Sequence, residues 1–313
     1  MEAAGKSNVK LNECLTVKHK VHIIRGMNKL PRDKRVQIIT LLVEGMSLRA
    51  VTRATGCSIN TVTKLLITAG MACAEYQDTH LRNLRARRIQ IDEIWCFNYC
   101  KDANKKTAKA APTDAGSLWT WVALDADTKL VPSWLVGERG APEAYRFVRD
   151  LADRLATRVQ ITTDGHRPYL SAVPNTFNHE VDFAMLVKHY GVAPGAVGAE
   201  RRYSPGECIK VEKTGVEGAP DWNHVSTSFV ERQNLTMRMA IRRYTRLTNA
   251  FSKKAENHAW ATALHFMNYN FCRIHKTLRC TPAMAAKVTT KLWDITDLVR
   301  MIEAWEARQS AAV

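Results

Sequence analysis

The chain has 313 residues, 46% of them apolar and 24% charged, so it is long enough for two ordinary domains and too apolar for a disordered chain. Forty-six Lys and Arg against 30 Asp and Glu give a formal charge of +16, an excess that points to a polyanionic partner, with nucleic acid ahead of an anionic membrane surface. No run of about 20 apolar residues and no charged-then-apolar leader stands in the sequence, so no membrane partner is expected and a cytoplasmic, nucleoid-associated protein is.

From Pro31 to Gly70 the pattern is helical. Val36, Ile39, Leu42 and Val43 recur at helical spacing before Gly45. Ser47 is placed to cap a second helix carrying Leu48, Val51 and Ala54 and ending at Gly56. Ser58 is placed to cap a third, with Ile59, Val62, Leu65 and Leu66 turned inward. Three short helices with a glycine-containing turn before the last form a helix-turn-helix pattern. Its last helix would then expose Asn60, Thr61, Thr63 and Lys64, short polar groups suited to base edges and phosphates. Residues 1–88 hold 16 Lys and Arg against 6 Asp and Glu, so most of the excess charge lies here. Residues 1–80 therefore read as a helix-turn-helix DNA-binding domain and 81–88 as a basic connector. A helical bundle with no DNA role is the alternative.

After Arg88 the period changes to that of strands. Residues 89–95, 118–124 and 130–136 are three short apolar strands, with a polar Lys/Ala-rich hairpin loop between the first two. Pro142 opens a helix running to Leu155, and Val159–Thr163 is a fourth strand ending in Asp164-Gly165. That order is expected of an α/β ribonuclease-H-like fold, a mixed sheet flanked by helices and preceded here by the all-α segment. Residues 175–223 read as irregular, with one apolar run over Phe183–Val187. The segments 256–272 and 291–308 read as amphipathic helices, able to cover the domain or pair two subunits. The eight cysteines are scattered without a CxxC pair, which leaves no ligand set for a zinc ribbon and fits reduced, mostly buried thiols.

Three carboxylates stand where strands end or helices turn. Asp92 interrupts an apolar strand, an unfavourable place unless the group is paired or binds a metal. Asp164 directly follows the fourth strand. Glu231 begins a helix expected over 229–247. At about 100° per residue, Glu231, Asn234, Arg238, Arg242 and Arg246 share one face, opposite Phe229, Met237, Ala240, Tyr244 and Leu247. Two hard cations about 4 Å apart, held by such carboxylates, would serve phosphodiester cleavage, with the arginines on the DNA backbone. Glu93 should point to the opposite face from Asp92, and His166 and His275 are possible neighbours of the site. Singly, each acid has a plainer reading: Asp-Gly after a strand is commonly a turn, and Glu at a helix start is favoured by the dipole.

The stretches Ile91-Asp92-Glu93-Ile94-Trp95, Thr163-Asp164-Gly165 and Ser228-Phe229-Val230-Glu231-Arg232-Gln233-Asn234 resemble the three acidic motifs of DDE transposases, most nearly the insertion sequence one family. The segment from Thr245 to Lys254 is similar to that family too. Asn268-Tyr269-Asn270 through His275 to Thr281-Pro282 is similar to the closing motif of integrase-like catalytic domains. The resemblance covers roughly residues 85–290 and makes 89–290 the DDE catalytic domain, followed by a C-terminal helix over 291–313.

The resemblance implies metal ligation by Asp92, Asp164 and Glu231, two Mg²⁺ ions with Mn²⁺ as an alternative, and a DNA contact at Arg238. It further implies cleavage at transposon terminal repeats and attack of the freed 3′-hydroxyl on target DNA. Synapsis of two ends makes a homo-oligomer on DNA a functional expectation. The chain departs from the family in lacking the N-terminal zinc finger of some relatives, and in the 66 residues between Asp164 and Glu231. A nuclease of the same superfamily, and a DNA-binding regulator or inactive copy acting through the helix-turn-helix, are the competing functions.

Overall fold

The computed structural model describes residues 29–191, 206–245 and 250–311. Three helices come first: α1 (Arg32–Val43), α2 (Leu48–Thr55) and α3 (Ile59–His80). Ser47 and Ser58 each accept a hydrogen bond from the backbone N–H three residues on, so both expected caps form. Gly56 between them takes φ +70°, a left-handed turn open to glycine, and α2 and α3 meet at a bend of 116°. Ile59 corrects the sequence reading. It is 42% exposed, because it sits in the first turn of α3, ahead of the buried stripe formed by Val62, Leu65, Leu66 and Ala69. No single helix among the described residues is long and apolar enough to cross a membrane.

The sheet begins with an antiparallel meander of β1 (Arg88–Asn98), β2 (Gly116–Asp125) and β3 (Ser133–Gly137). Helix α4 (Ala141–Ala152) leads to β4 (Gln160–Thr163), parallel to β1, and α5 (Tyr169–Thr176) leads to β5 (Asp182–Gly191), parallel to β4. A sixth strand, β6 (Glu207–Glu217), runs antiparallel on the edge beside β5. The order β3-β2-β1-β4-β5-β6 is a ribonuclease-H-like mixed sheet with one added edge strand.

The β5–β6 pair replaces the irregular stretch read from the sequence. β6 is exposed along most of its length, and its one apolar alternation, Ile209-Lys210-Val211-Glu212, is too short to mark a strand by itself. Charged Lys210, Glu212 and Lys213 line this open edge, a disposition that discourages pairing with other chains.

The chain continues through α6 (Ser228–Ala240), α7 (Ala255–Met267), a short α8 (Pro282–Ala285) and α9 (Ile295–Ala311). Alternation along β1 sends Ile89 and Ile91 to one face, packed with Trp121, Phe147 of α4 and Tyr169 of α5. Ile94 and Cys96 go to the other, packed with Val230 and Met237 of α6 and Phe266 of α7. α7 is buried on nearly every side, so it is a core helix rather than an amphipathic one.

Two features of α6 differ from the helix expected over 229–247. It ends at Ala240, where Ile241 turns extended and Arg242–Tyr244 forms a single 3-10 turn. That break lets the Tyr244 hydroxyl reach the Thr120 and Thr262 hydroxyls at 2.7 and 2.8 Å in the core. Its buried face is therefore Val230, Gln233, Asn234 and Met237, while Phe229 is 44% exposed under the Lys129 ammonium. Arg246 and Leu247 lie outside the described residues.

A further core joins the two ends of the chain. Ile38, Val51, Val62 and Ala72 of α1–α3 pack with Ala263 and Met267 of α7 and with Leu298, Ile302 and Trp305 of α9.

Candidate active site

The last β1–β4 pair is Gln90 with Thr162, and carrying that register two residues on sets Asp92 beside Asp164, just past the end of β4. Among the described residues, β1 has no partner strand on this side beyond Gln90, only an isolated bridge from Asn98 to Ser252. Asp92 and Glu93 leave the strand on opposite faces, yet both reach round this open edge. Oxygens of Asp92, Glu93 and Asp164 all lie within 4.8 Å of one another.

Each acid is held by named donors. Asp92 accepts the Glu93 N–H at 2.9 Å and the Asn234 amide at 2.8 Å. The Glu93 side chain is 1% exposed and accepts from the Tyr169 hydroxyl and from Arg139 Nε at 2.9 Å. Arg139 lies over the Trp119 ring, and its Nη2 reaches Asp164 at 3.3 Å. The other Asp164 oxygen accepts the His166 N–H at 2.9 Å.

Glu231 is placed by a cap from another element. Thr227 offers α6 no side-chain cap, but Gln90 Oε1 accepts the N–H groups of Phe229 and Val230 at 2.9 and 3.1 Å, which fastens the start of α6 to β1. Both Glu231 oxygens accept from Lys188 Nζ, at 2.6 and 2.7 Å, and Oε1 also accepts from the Thr227 hydroxyl at 2.7 Å. All four acids line one cleft of about 890 Å³, with Arg139, Lys188, Asn234 and Arg238 also in its wall.

The electrostatics follow from this crowding. Burial pushes the Asp92 carboxyl up to about 7, helped by the Asp164 charge and, less, by Glu231, against the hydrogen bonds it accepts. Glu93 is pushed up to about 7 in the same way, first by burial and then by Asp164, with Tyr169 and Arg139 pulling the other way. His166 is lowered by burial and then by Arg139. Its Nε2 is buried without a partner beside Trp121 and Tyr169. Acids held this close, two of them, Asp92 and Glu93, raised to about 7, suit a site that binds divalent cations.

The structure thus brings Asp92, Asp164 and Glu231 into one cleft and adds Glu93 and His166 to it, while His275 is not among its lining residues. Glu93 does point away from Asp92 along the strand, as expected, but the open edge still admits it. Arg238 lines the cleft and donates to the Tyr244 carbonyl at 2.9 Å, and Arg242 is exposed just past α6. On α3, Asn60 and Lys64 are exposed, whereas Thr61 is half-buried against the Ser58 hydroxyl.

Sequence reasoning missed Arg139, Lys188, Tyr169 and Gln90. Lys188 follows the apolar run Phe183–Val187 directly, and a charge closing an apolar run was the available signal. Arg139 follows β3 with nothing local to single it out.

No protein-family model and no curated protein matches this chain. Among solved structures it is similar to a piggyBac transposase synaptic complex with hairpin DNA, at 10% identity and a TM-score of 0.40, over 94% of this chain and 74% of that one. It is also similar to a pre-cleavage Mos1 transpososome, at 13% identity and a TM-score of 0.25, over 77% and 79%. A Mos1 transposase paired-end complex with left transposon end matches at 16% identity and a TM-score of 0.20, over 49% of this chain and 58% of that one.

Proposed function

We propose that the protein is a DDE transposase, a metal-dependent polynucleotidyl transferase that binds insertion-sequence ends, cleaves there and joins the freed 3′-hydroxyl to target DNA. The observation that carries this reading is the meeting of Asp92, Glu93 and Asp164 within 4.8 Å, with Glu231 in the same cleft. A regulator working only through its helices has no use for four acids gathered against the penalty of burial.

The donor set fits a divalent metal. It is all oxygen, as Mg²⁺ or Mn²⁺ prefers, and Asn234 offers a buried Oδ1 with no hydrogen-bond partner beside Asp92. Asp92 and Asp164 would hold one ion between them and Glu231 would complete a second site. Bound ions would activate the attacking oxygen and stabilise the leaving one. The chain's own groups do the rest. Asn234 orients Asp92, Arg139 orients Glu93 and Asp164, and the Gln90 cap fixes the position of Glu231.

The DNA partner follows from the charge of +16 and from where it lies. Arg238 in the cleft wall and the exposed Arg242 just past α6 would hold the DNA backbone. The N-terminal helices, with their capped turn and 116° bend, would serve as the helix-turn-helix, and Asn60, Thr61 and Lys64 would read terminal repeats. Residues 1–80, 81–88, 89–290 and 291–313 would then be the recognition, connector, catalytic and closing segments, and a homo-oligomer would synapse two ends. Removing the exposed Arg242 (Arg242→Ala) should lower the slope of log affinity against log salt by about one phosphate contact. An unchanged slope would take Arg242 off the DNA.

The fate of the cut strand tests the proposal. Labelled duplex carrying the element's ends, incubated with protein, Mg²⁺ and supercoiled target, should give joined product. Cutting without joining would make the protein a nuclease, and binding alone would make it a regulator.

A further inference from the structure

We infer that Lys188 is a displaceable cation of the reaction, holding Glu231 until a divalent ion arrives and then turning its ammonium to an oxygen of the DNA phosphodiester. The inference rests on the metal-dependent reading of the cleft.

The first ground is competition for lone pairs. Lys188 Nζ sits 2.6 and 2.7 Å from the two Glu231 oxygens, and the Thr227 hydroxyl takes Oε1 as well. A magnesium ion needs a carboxylate oxygen at about 2.0–2.1 Å. These three hydrogen bonds, two of them from the ammonium, leave Glu231 a lone pair on Oε2 alone, beside that ammonium. Asp92 differs. Its donors are the Glu93 N–H and the Asn234 amide, both neutral, and they leave lone pairs free. The rivalry with a metal therefore falls on Glu231.

The second ground is freedom to move. Met185 is the last β5 residue paired with β4, and Lys188 lies three residues beyond it, where β5 has only β6 for a neighbour. Its side chain is 27% exposed and lines the cleft, so the ammonium can swing on its flexible stem without disturbing the core.

The third ground is charge. Four carboxylates face four cations, Arg139, Arg167, Lys188 and Arg238, on the cleft wall. Two divalent ions would cancel the acids by themselves and leave the side-chain cations in excess. An entering phosphodiester strand is the anion that this excess attracts. Lys188 thus opposes metal binding in the free protein and favours DNA once the ions are in place.

The test is Mn²⁺ binding to the full-length protein without DNA, measured by paramagnetic resonance or calorimetry, for wild type, Lys188→Met, Lys188→Arg and Glu231→Gln. Lys188→Met should bind Mn²⁺ about threefold more tightly or better, the scale of a partly exposed ion pair. It should also cut DNA about a hundredfold more slowly at saturating Mg²⁺, as for loss of one preorganised charge contact. Lys188→Arg should keep wild-type metal affinity and recover part of the cutting. A merely structural lysine would not raise metal affinity when removed. Unchanged or weaker Mn²⁺ binding by Lys188→Met, with Glu231→Gln weakened, would overturn the role of Lys188 alone. No Mn²⁺ binding by the wild type would overturn the metal reading and this inference with it.

Discussion

At the scale of single residues, Asp92 and Glu93 set how the site responds to pH. Both hold a proton more tightly in the fold than in the unfolded chain, each raised to about 7 by burial first and the Asp164 charge second. Their contribution to stability is therefore full below the ordinary carboxylate range and is lost as pH rises through about 7. Asp92→Asn has no such charge to bury. In chelator its melting temperature should gain on wild type as pH rises from about 5 to about 8. Added Mg²⁺ should stabilise wild type at the upper pH and do little at the lower, because the ion needs deprotonated carboxylates. A melting difference between variant and wild type that stays flat with pH would contradict this assignment.

The candidate acids were legible because each sits in a local pattern: Asp92 inside an apolar strand, Asp164 at a strand end, Glu231 at a helix start. Their supporting cations were not. Arg139 follows β3 and Lys188 lies on β5, far from Glu93 and Glu231 in the chain, and only the folded sheet brings them together.

Elements were legible where their signals are local. Ser47 and Ser58 cap as their positions suggest, and β1 to β4 follow from apolar runs. Register failed on α6, where burial of Ile241 and Tyr244 ends the helix early and turns a different face inward. It also failed on β6, whose exposed side chains leave only the brief alternation of Ile209 and Val211 to read.

The packing of α3 on α7 shows a constraint hidden in one residue. Gly70 lies inside α3, where glycine is less favourable than alanine by about 1 kcal/mol. Yet a Cβ there would come within 2.6 Å of Trp260 Cα on α7, so the two backbones meet closely only without it. Gly70→Ala should destabilise the protein in chemical unfolding despite its better helix propensity. A more stable variant would mean that α3 and α7 do not meet this closely at Gly70 and Trp260.

For the whole molecule, the core shared by the two ends of the chain is the main feature that local patterns do not reveal. It runs across the sequence boundary at 80/81, and α1 is further tied to α9 by Arg35 on Glu306 and Arg32 on Glu303, each at 2.7 Å. Each large apolar side chain buried there is worth about 1.5–3 kcal/mol. A chain begun at residue 89 would expose the facing surfaces of α7 and α9, and it should show no cooperative thermal transition. A sharp transition from that fragment would mean that the sheet and its helices fold without α1–α3.

The central claim is metal-dependent cutting of DNA by the Asp92, Asp164 and Glu231 cleft, and strand cleavage tests it most directly. The purified protein is incubated with Mg²⁺ and duplex DNA bearing the ends of its flanking element, beside Asp164→Asn. Nicks exposing 3′-hydroxyls in wild type, absent from the variant and from wild type in chelator, are the predicted result. Cleavage that survives in Asp164→Asn, or binding without cleavage by both proteins, would contradict it.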